Sequence, residues 1–325
     1  MSRRTLFVLG VLALALVAGW YFTSQVQLPR ARVQMEAWLP GLQASQVEAI
    51  EIQRGGQPLV RLQRGQSGWV LPDKADYPAD QTAVATLLKA LVEARKVEPR
   101  TSNPELYGRL GLADKGDPGQ QGVRVTLMQA GQPSLALLIG NPGQQSGQLV
   151  RRADEAQSWL VSQRIELPAT ELEWLDRRVS AVPFSEVREL QLSHANGERL
   201  TLFRDKAEDA HLQVRELPKG KRLAFDGAAD GMAQFFTDLR FADAAPLAQL
   251  TFEGKPALQF SLVTLAGKRL SGSLFGKADQ YWLLLDQGSD LPAAELPGRT
   301  DWAYRLEPYQ YKSLAKKLTE LLAAG

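Results

Sequence analysis

The side chains that do most enzymatic chemistry are scarce in this sequence. It has two histidines, His194 and His211, and no cysteine. A helical zinc site needs paired ligands at a spacing such as H-E-x-x-H, and neither histidine has a partner at that distance. His194 reads as a turn residue and His211 as the start of a strand. Without cysteine there is no disulfide framework, no thiolate zinc site and no thiol nucleophile. In "GSLFG" (272–276) the serine stands one place early for a nucleophile elbow. "AGKRLSG" (266–272) has a Gly-Lys pair but not the longer glycine loop that cradles phosphates. "IGNPGQQSG" (139–147) is glycine-rich, yet no helix follows to offer its N-terminus to an anion.

Asp73, Asp76 and Asp80 crowd one stretch and could serve as general acid and base, or as calcium ligands. Their spacing lacks the alternation and the glycine of a calcium loop. A turn followed by a helix cap at Asp80 accounts for them with less. "NPELYGRLGL" (103–112) reads as a tight turn packed through Tyr107, Gly108 and Gly111. The expectation is therefore a protein that is not an enzyme, with no catalytic, cofactor-binding or metal-ligating residue and no cofactor.

The elements around these residues are written twice. "VEAIEIQ" (47–53), "LVRLQR" (59–64) and "GWVLP" (68–72) are strand signals separated by glycine turns. After them, Val84, Leu87, Leu88, Leu91 and Val92 fall on one face of a helix that Asp80 can cap. In the second half "VRELQLS" (187–193), "RLTLFR" (199–204) and "HLQVRE" (211–216) repeat the strands, with Asn196-Gly197 as the first turn. Asp226 or Asp230 can cap a second helix, in which Met232, Phe235, Phe236 and Leu239 repeat the apolar stripe. Downstream, "GVRVTLMQAGQPSLALLIG" (122–140) matches "PALQFSLVTLAGKRLSGSLFG" (256–276), and Trp174 to Arg177 matches the spacing of Trp302 to Arg305. The fold class expected is α+β: two duplicated lobes of antiparallel strands with amphipathic helices, 45–182 and 183–325, meeting near Ala181 to Phe184.

An N-terminal apolar segment precedes both. From Leu6 to Phe22 no charged or strongly polar residue occurs, a run of about 26 Å as a helix against a hydrocarbon core of roughly 30 Å. It ends in Trp20, Tyr21 and Phe22, which suits a membrane interface and makes a poor cleavage site. Residues 1–23 are expected to be an uncleaved transmembrane anchor, with a cleaved signal peptide as the alternative. Long following segments translocate largely regardless of charge, so the C-terminal body is expected in the periplasm, held by a single pass in a bacterial inner membrane. Residues 24–44 form a connector; Val33, Met35, Trp38 and Leu39 could pack on the body, but a plain linker is the simpler reading. Net charge is +2, with both signs interspersed, and the absence of a basic stripe argues against nucleic acid as a partner.

The anchor, the first strand "VEAIEI", a tryptophan strand, "YPAD" before the leucine-rich helix and then "NPELYGRLGL" together resemble the family called domain of unknown function 4340. The resemblance covers roughly residues 45 to 320. Members of that family are associated with ABC transporters of the gliding-motility type. The resemblance implies a non-enzymatic, membrane-anchored auxiliary subunit whose partners are an ABC permease and ATPase, and it brings no functional residues with it. The alternative is an envelope module that binds glycan or lipid in a cleft between the lobes.

Overall fold

The computed structural model describes residues 35–143, 146–277 and 280–323. The apolar run 6–22 lies outside them, as does Val33; among the described residues no helix is long and apolar enough to cross a membrane. The architecture is mostly antiparallel β-sheet with a few helices, an α+β arrangement.

In the first half the strands are β1 (Val47–Gln53), β2 (Val60–Gly65), β3 (Gly68–Leu71), β4 (Tyr77–Pro78), β5 (Lys96–Pro99), β6 (Val123–Gln129), β7 (Leu135–Pro142), β8 (Gln148–Arg152) and β9 (Ser158–Val161). They form one sheet in the order β4-β3-β2-β1-β6-β7-β8-β9-β5. Next come β10 (Arg178–Ser180), β11 (Val187–His194), β12 (Arg199–Phe203), β13 (Gln213–Val214), β14 (Leu239–Arg240), β15 (Asp243–Pro246), β16 (Leu258–Thr264), β17 (Arg269–Lys277), β18 (Gln280–Leu285) and β19 (Trp302–Leu306). The second sheet runs β13-β12-β11-β16-β17-β18-β19-β15, while β10 pairs with β14 in a small ribbon.

Setting β4 aside, the two orders agree strand for strand. The agreement reaches the register. β1 and β6 shift between Val47 and Ala49, and β11 and β16 shift between Val187 and Glu189. Each bulge lets the first valine and a residue three places on, Ile50 or Leu190, face the same core, where strict alternation would oppose them. A short 3-10 turn leads into each strand, Ala44–Gln46 and Phe184–Glu186.

The first helix forms as its pattern dictates. α1 (Gln81–Glu93) begins where the Asp80 carboxylate accepts the amides of Thr82 and Ala83, and it buries Val84, Leu87, Leu88 and Leu91 against the sheet. Here expectation and structure agree.

The second helix corrects the expectation. α2 spans only Asp230–Gln234; Asp226 is exposed, Asp230 is the first helical residue, and the N-cap is Ala229 with no side-chain cap bond. The Asp230 carboxylate points sideways, taking the Leu212 amide at 2.9 Å and His211 Nδ1 at 2.6 Å. Leu239 lies in β14, pairing with Ser180, so the stripe that matched α1 is not helical at its end. Phe236 still reaches the core, 4.9 Å ring to ring from Phe260, from a turn. The strand expected over 211–216 is likewise cut to Gln213–Val214. Two further helices, α3 (Pro308–Leu314) and α4 (Leu318–Leu321), close the C-terminal side.

One buried apolar cluster runs through both halves, from Trp38 to Leu321. Trp38 and Leu39 belong to it, so this part of the connector packs on the body, whereas Met35 is exposed. Trp38 donates its amide to Ala94 O at 3.0 Å, and Ala37 bridges Arg95.

Candidate functional site

The sequence points to a cleft between the lobes as a place for function. The junction is filled. Ala75 and Asp76 adopt left-handed backbone, φ 48° and 55°, a sharp turn that feeds Tyr77 into it. Tyr77 meets Trp302 edge-on at 4.6 Å and Phe241 at 5.6 Å, and Phe241 stacks on Tyr304 at 5.5 Å. All four rings are buried. The backbone joins as well, since Phe241 N donates to Arg177 O at 3.0 Å and Ala181 N to Glu295 O at 2.8 Å. The two Trp-x-x-Arg segments converge on neighbouring carbonyls: Arg177 Nε donates to Phe241 O and Arg305 Nη2 to Ala242 O.

Burial sets the electrostatics of this junction. It raises the Tyr304 phenol to about 12, against the backbone hydrogen bond at Arg299 that pulls the other way. It pushes the Tyr77 phenol far above its ordinary value too, with Tyr304 beside it adding to the rise.

The residues weighed as catalytic do not come together. Asp73 pairs with Arg61 at 3.0 Å, Asp76 makes the turn and Asp80 caps α1. His194 lies at the end of β11, its Nε2 enclosed without a hydrogen-bond partner, beside an open hollow shared with Arg199 and Lys255. His211 is more than the plain strand-start residue expected, because its Nδ1–H is held by the buried Asp230 carboxylate. Gly227, φ 81°, passes so close that a Cβ there would sit 2.6 Å from His211 Nδ1. Among the described residues no three His, Asp or Glu side chains group as metal ligands.

"NPELYGRLGL" folds as a clasp. Asn103 caps the 3-10 turn Pro104–Leu110, and Gly111 ends it at φ 64°. The Tyr107 hydroxyl donates to Ala156 O, and the Arg151 guanidinium lies 4.3 Å over its ring. Tyr107 and Leu112 form a small second core with Leu138, Leu149 and Leu160. These strand residues alternate with Leu137, Ile139, Val150 and Val161 of the main core, so the clasp covers the sheet face away from α1.

The model of the domain of unknown function (DUF4340) matches residues 69–253, more than half of the chain. The chain belongs to this family. No curated protein and no solved structure matches it. The matched stretch runs from β3 through the clasp and the junction to the edge of β16, so the family pattern includes both α1 and Phe241.

It also includes most of a cavity that sequence reading missed. On the α1 side of the first sheet a space of about 660 Å³ is bounded by Val123, Ile139 and Gln148 of the sheet, Thr82, Ala83 and Thr86 of α1, and the segment 164–168. Gln148 is buried and donates to Gly140 O. Arg54 enters from the end of β1 and donates through Nη2 to Leu167 O at 2.9 Å and Pro168 O at 3.0 Å. Burial lowers the pKa of its guanidinium, offset in part by Glu173. Its partners are scattered from position 54 to 168, and no local spacing signals them.

Proposed function

We propose that the chain is a non-enzymatic, membrane-anchored extracytoplasmic subunit working with an ABC permease and ATPase of the gliding-motility type, its two lobes descended from one by duplication. The shared strand order and the shared bulge before β1 and β11 support the duplication. The observation that carries the subunit reading is the burial of Trp38. A generic tether needs only an exposed leash. Here the chain is built into the first lobe from Ala37 onward by the Arg95 bridge and the Ala94 hydrogen bond. At most about 50 Å of extended chain then separates Phe22 from the body, and the aromatic junction fixes the second lobe to the first. Such a body holds a defined position near a membrane partner. A binding module that used an interlobe cleft gains no support from a junction filled with rings.

The test is purification in mild detergent. The full chain is expected to retain Met1 or Ser2, to fractionate with the inner membrane and to bring an ABC permease with it. Replacing residues 5–23 by an unrelated membrane helix is expected to weaken that complex, since helix association in lipid depends on close packing. Full function with the swapped helix and no permease recovered would leave a generic tether and overturn the proposal.

A further inference from the structure

The first-lobe cavity holds more hydrogen-bond donors than the chain uses. Arg54 spends Nη2 on two carbonyls, and among the described residues no carboxylate comes within ion-pair distance of it. Thr82 and Thr86, one turn apart on α1, border the same space, and neither hydroxyl makes a hydrogen bond among the described residues. A guanidinium carries five donors and a hydroxyl one, so several are left without a protein partner among the described residues.

The acids nearby do not cancel this. Asp80 is occupied by two amides at the N-terminus of α1, where the helix end already compensates its charge. Glu166 lies at the exposed rim, 3.6 Å from Arg164, and that pair balances itself. Glu173 offsets part of the burial of Arg54, which is half withdrawn from water, but it forms no ion pair with it, and its carboxylate is taken by the Ala169 amide. Removing a cation from water without a partner is costly. The remaining walls, Val123, Ile139 and Leu167, are apolar, and the volume falls within the range of small-ligand sites.

We propose that this cavity binds an amphiphile with a compact anionic head, carboxylate or phosphate, which meets Arg54 and the two threonine hydroxyls while its apolar part lies along the sheet wall. This goes beyond the transporter-subunit reading and does not depend on it. In the second lobe the five-residue α2 supplies no wall of comparable length.

Binding is measured by calorimetry on the full chain in nanodiscs without any partner, with empty nanodiscs subtracted. The probes are octyl phosphate, octanoate, 1-octanol and inorganic phosphate. At least one charged amphiphile is expected to bind saturably, and at least about tenfold tighter than both octanol and phosphate; which of the two binds better identifies the head group. Arg54→Gln is expected to remove that preference. Because Arg54 also holds the 164–168 segment, the double variant Thr82→Val/Thr86→Val serves as a second arm that leaves the segment anchored, and it should weaken the charged probe several-fold with octanol unchanged. Octanol binding as tightly as octyl phosphate and octanoate, phosphate alone matching them, no saturable binding, or unaltered binding in the threonine variant would each overturn the proposal.

Discussion

The two lobes have sheets of the same strand order and differ in what lies on them. In the first, thirteen residues of α1 cover the sheet and wall a cavity; in the second, α2 has five residues. After β5 the first lobe adds the Tyr107 clasp, whereas after β15 the second has only the turn Leu247–Gln249. Strand order is set by long-range burial. A substitution in one strand is tolerated as long as its inward positions stay apolar, which is how Val47, Ile50, Ile52 and Val187, Leu190, Leu192 occupy the same places. Helix length is set locally, by one cap and the residues behind it. Under the proposed duplication, the sheet persists through divergence while the covering elements drift, and a ligand site is expected where the cover remained long.

If the lobes are one body, the largest effect should come from emptying the junction. Tyr77→Ala removes a ring packed on Trp302 and Phe241, and large-to-small changes at such sites cost about 3–5 kcal/mol. Urea or thermal unfolding, followed by calorimetry, is expected to show the single transition splitting into two. A single transition at unchanged stability would mean that the rings do not couple the lobes.

The junction also predicts an alkaline limit. The Tyr304 phenol is raised to about 12 in the fold, above an ordinary value of about 10. Its contribution to stability is fully present below pH 10 and is lost as pH rises from about 10 to about 12, because the unfolded chain releases the proton first. Phenolate absorbance should show the Tyr77 and Tyr304 phenols ionising above the ordinary tyrosine range, and denaturation midpoints should fall across that window. Junction tyrosines that titrate in the ordinary phenol range would show a wetter junction than the packing implies.

Much of this contrast could be read from sequence, and the rest shows where local patterns stop. β1, β2, β11 and β12 were legible because alternation and glycine turns agreed, and α1 because Asp80 stood before a helical stripe. The same stripe misled at Phe235, Phe236 and Leu239. There Asp230 was claimed by Leu212 and His211, eighteen and nineteen residues away, and Leu239 by a strand partner at Ser180. Trp38 looked like linker because nothing nearby marks Ala94 as its partner. The cavity was invisible for the same reason: Arg54 reaches Leu167 across 113 positions.

The two capping candidates make the comparison quantitative. Asp230→Ala strips the buried Leu212 amide of its acceptor and His211 of its anchor. A buried donor left unmade costs about 1–3 kcal/mol, so a loss of about 2–3 kcal/mol by urea titration is expected. His211→Ala should cost less, its side chain being 52% exposed. An Asp230→Ala protein as stable as the parent would show that water replaces the carboxylate, and that the short α2 has another cause.

Asp80→Ala should give the smallest change. Its hydrogen bond to Thr82 is exposed, so water can reach the freed amide, and lost caps typically cost about 1 kcal/mol. The leucine face of α1 remains buried, and that packing rather than the cap supplies most of a helix's stability in a folded protein. Circular dichroism should therefore show α1 retained, with a modest fall in the urea midpoint. The second lobe offers no such reserve, since α2 is too short to hold itself by packing. Asp80→Ala costing as much as Asp230→Ala, with helical signal lost, would mean that α1 also depends on one carboxylate. The proposed difference between a helix kept by its face and one kept by the long-range bonds of a single carboxylate would then fail.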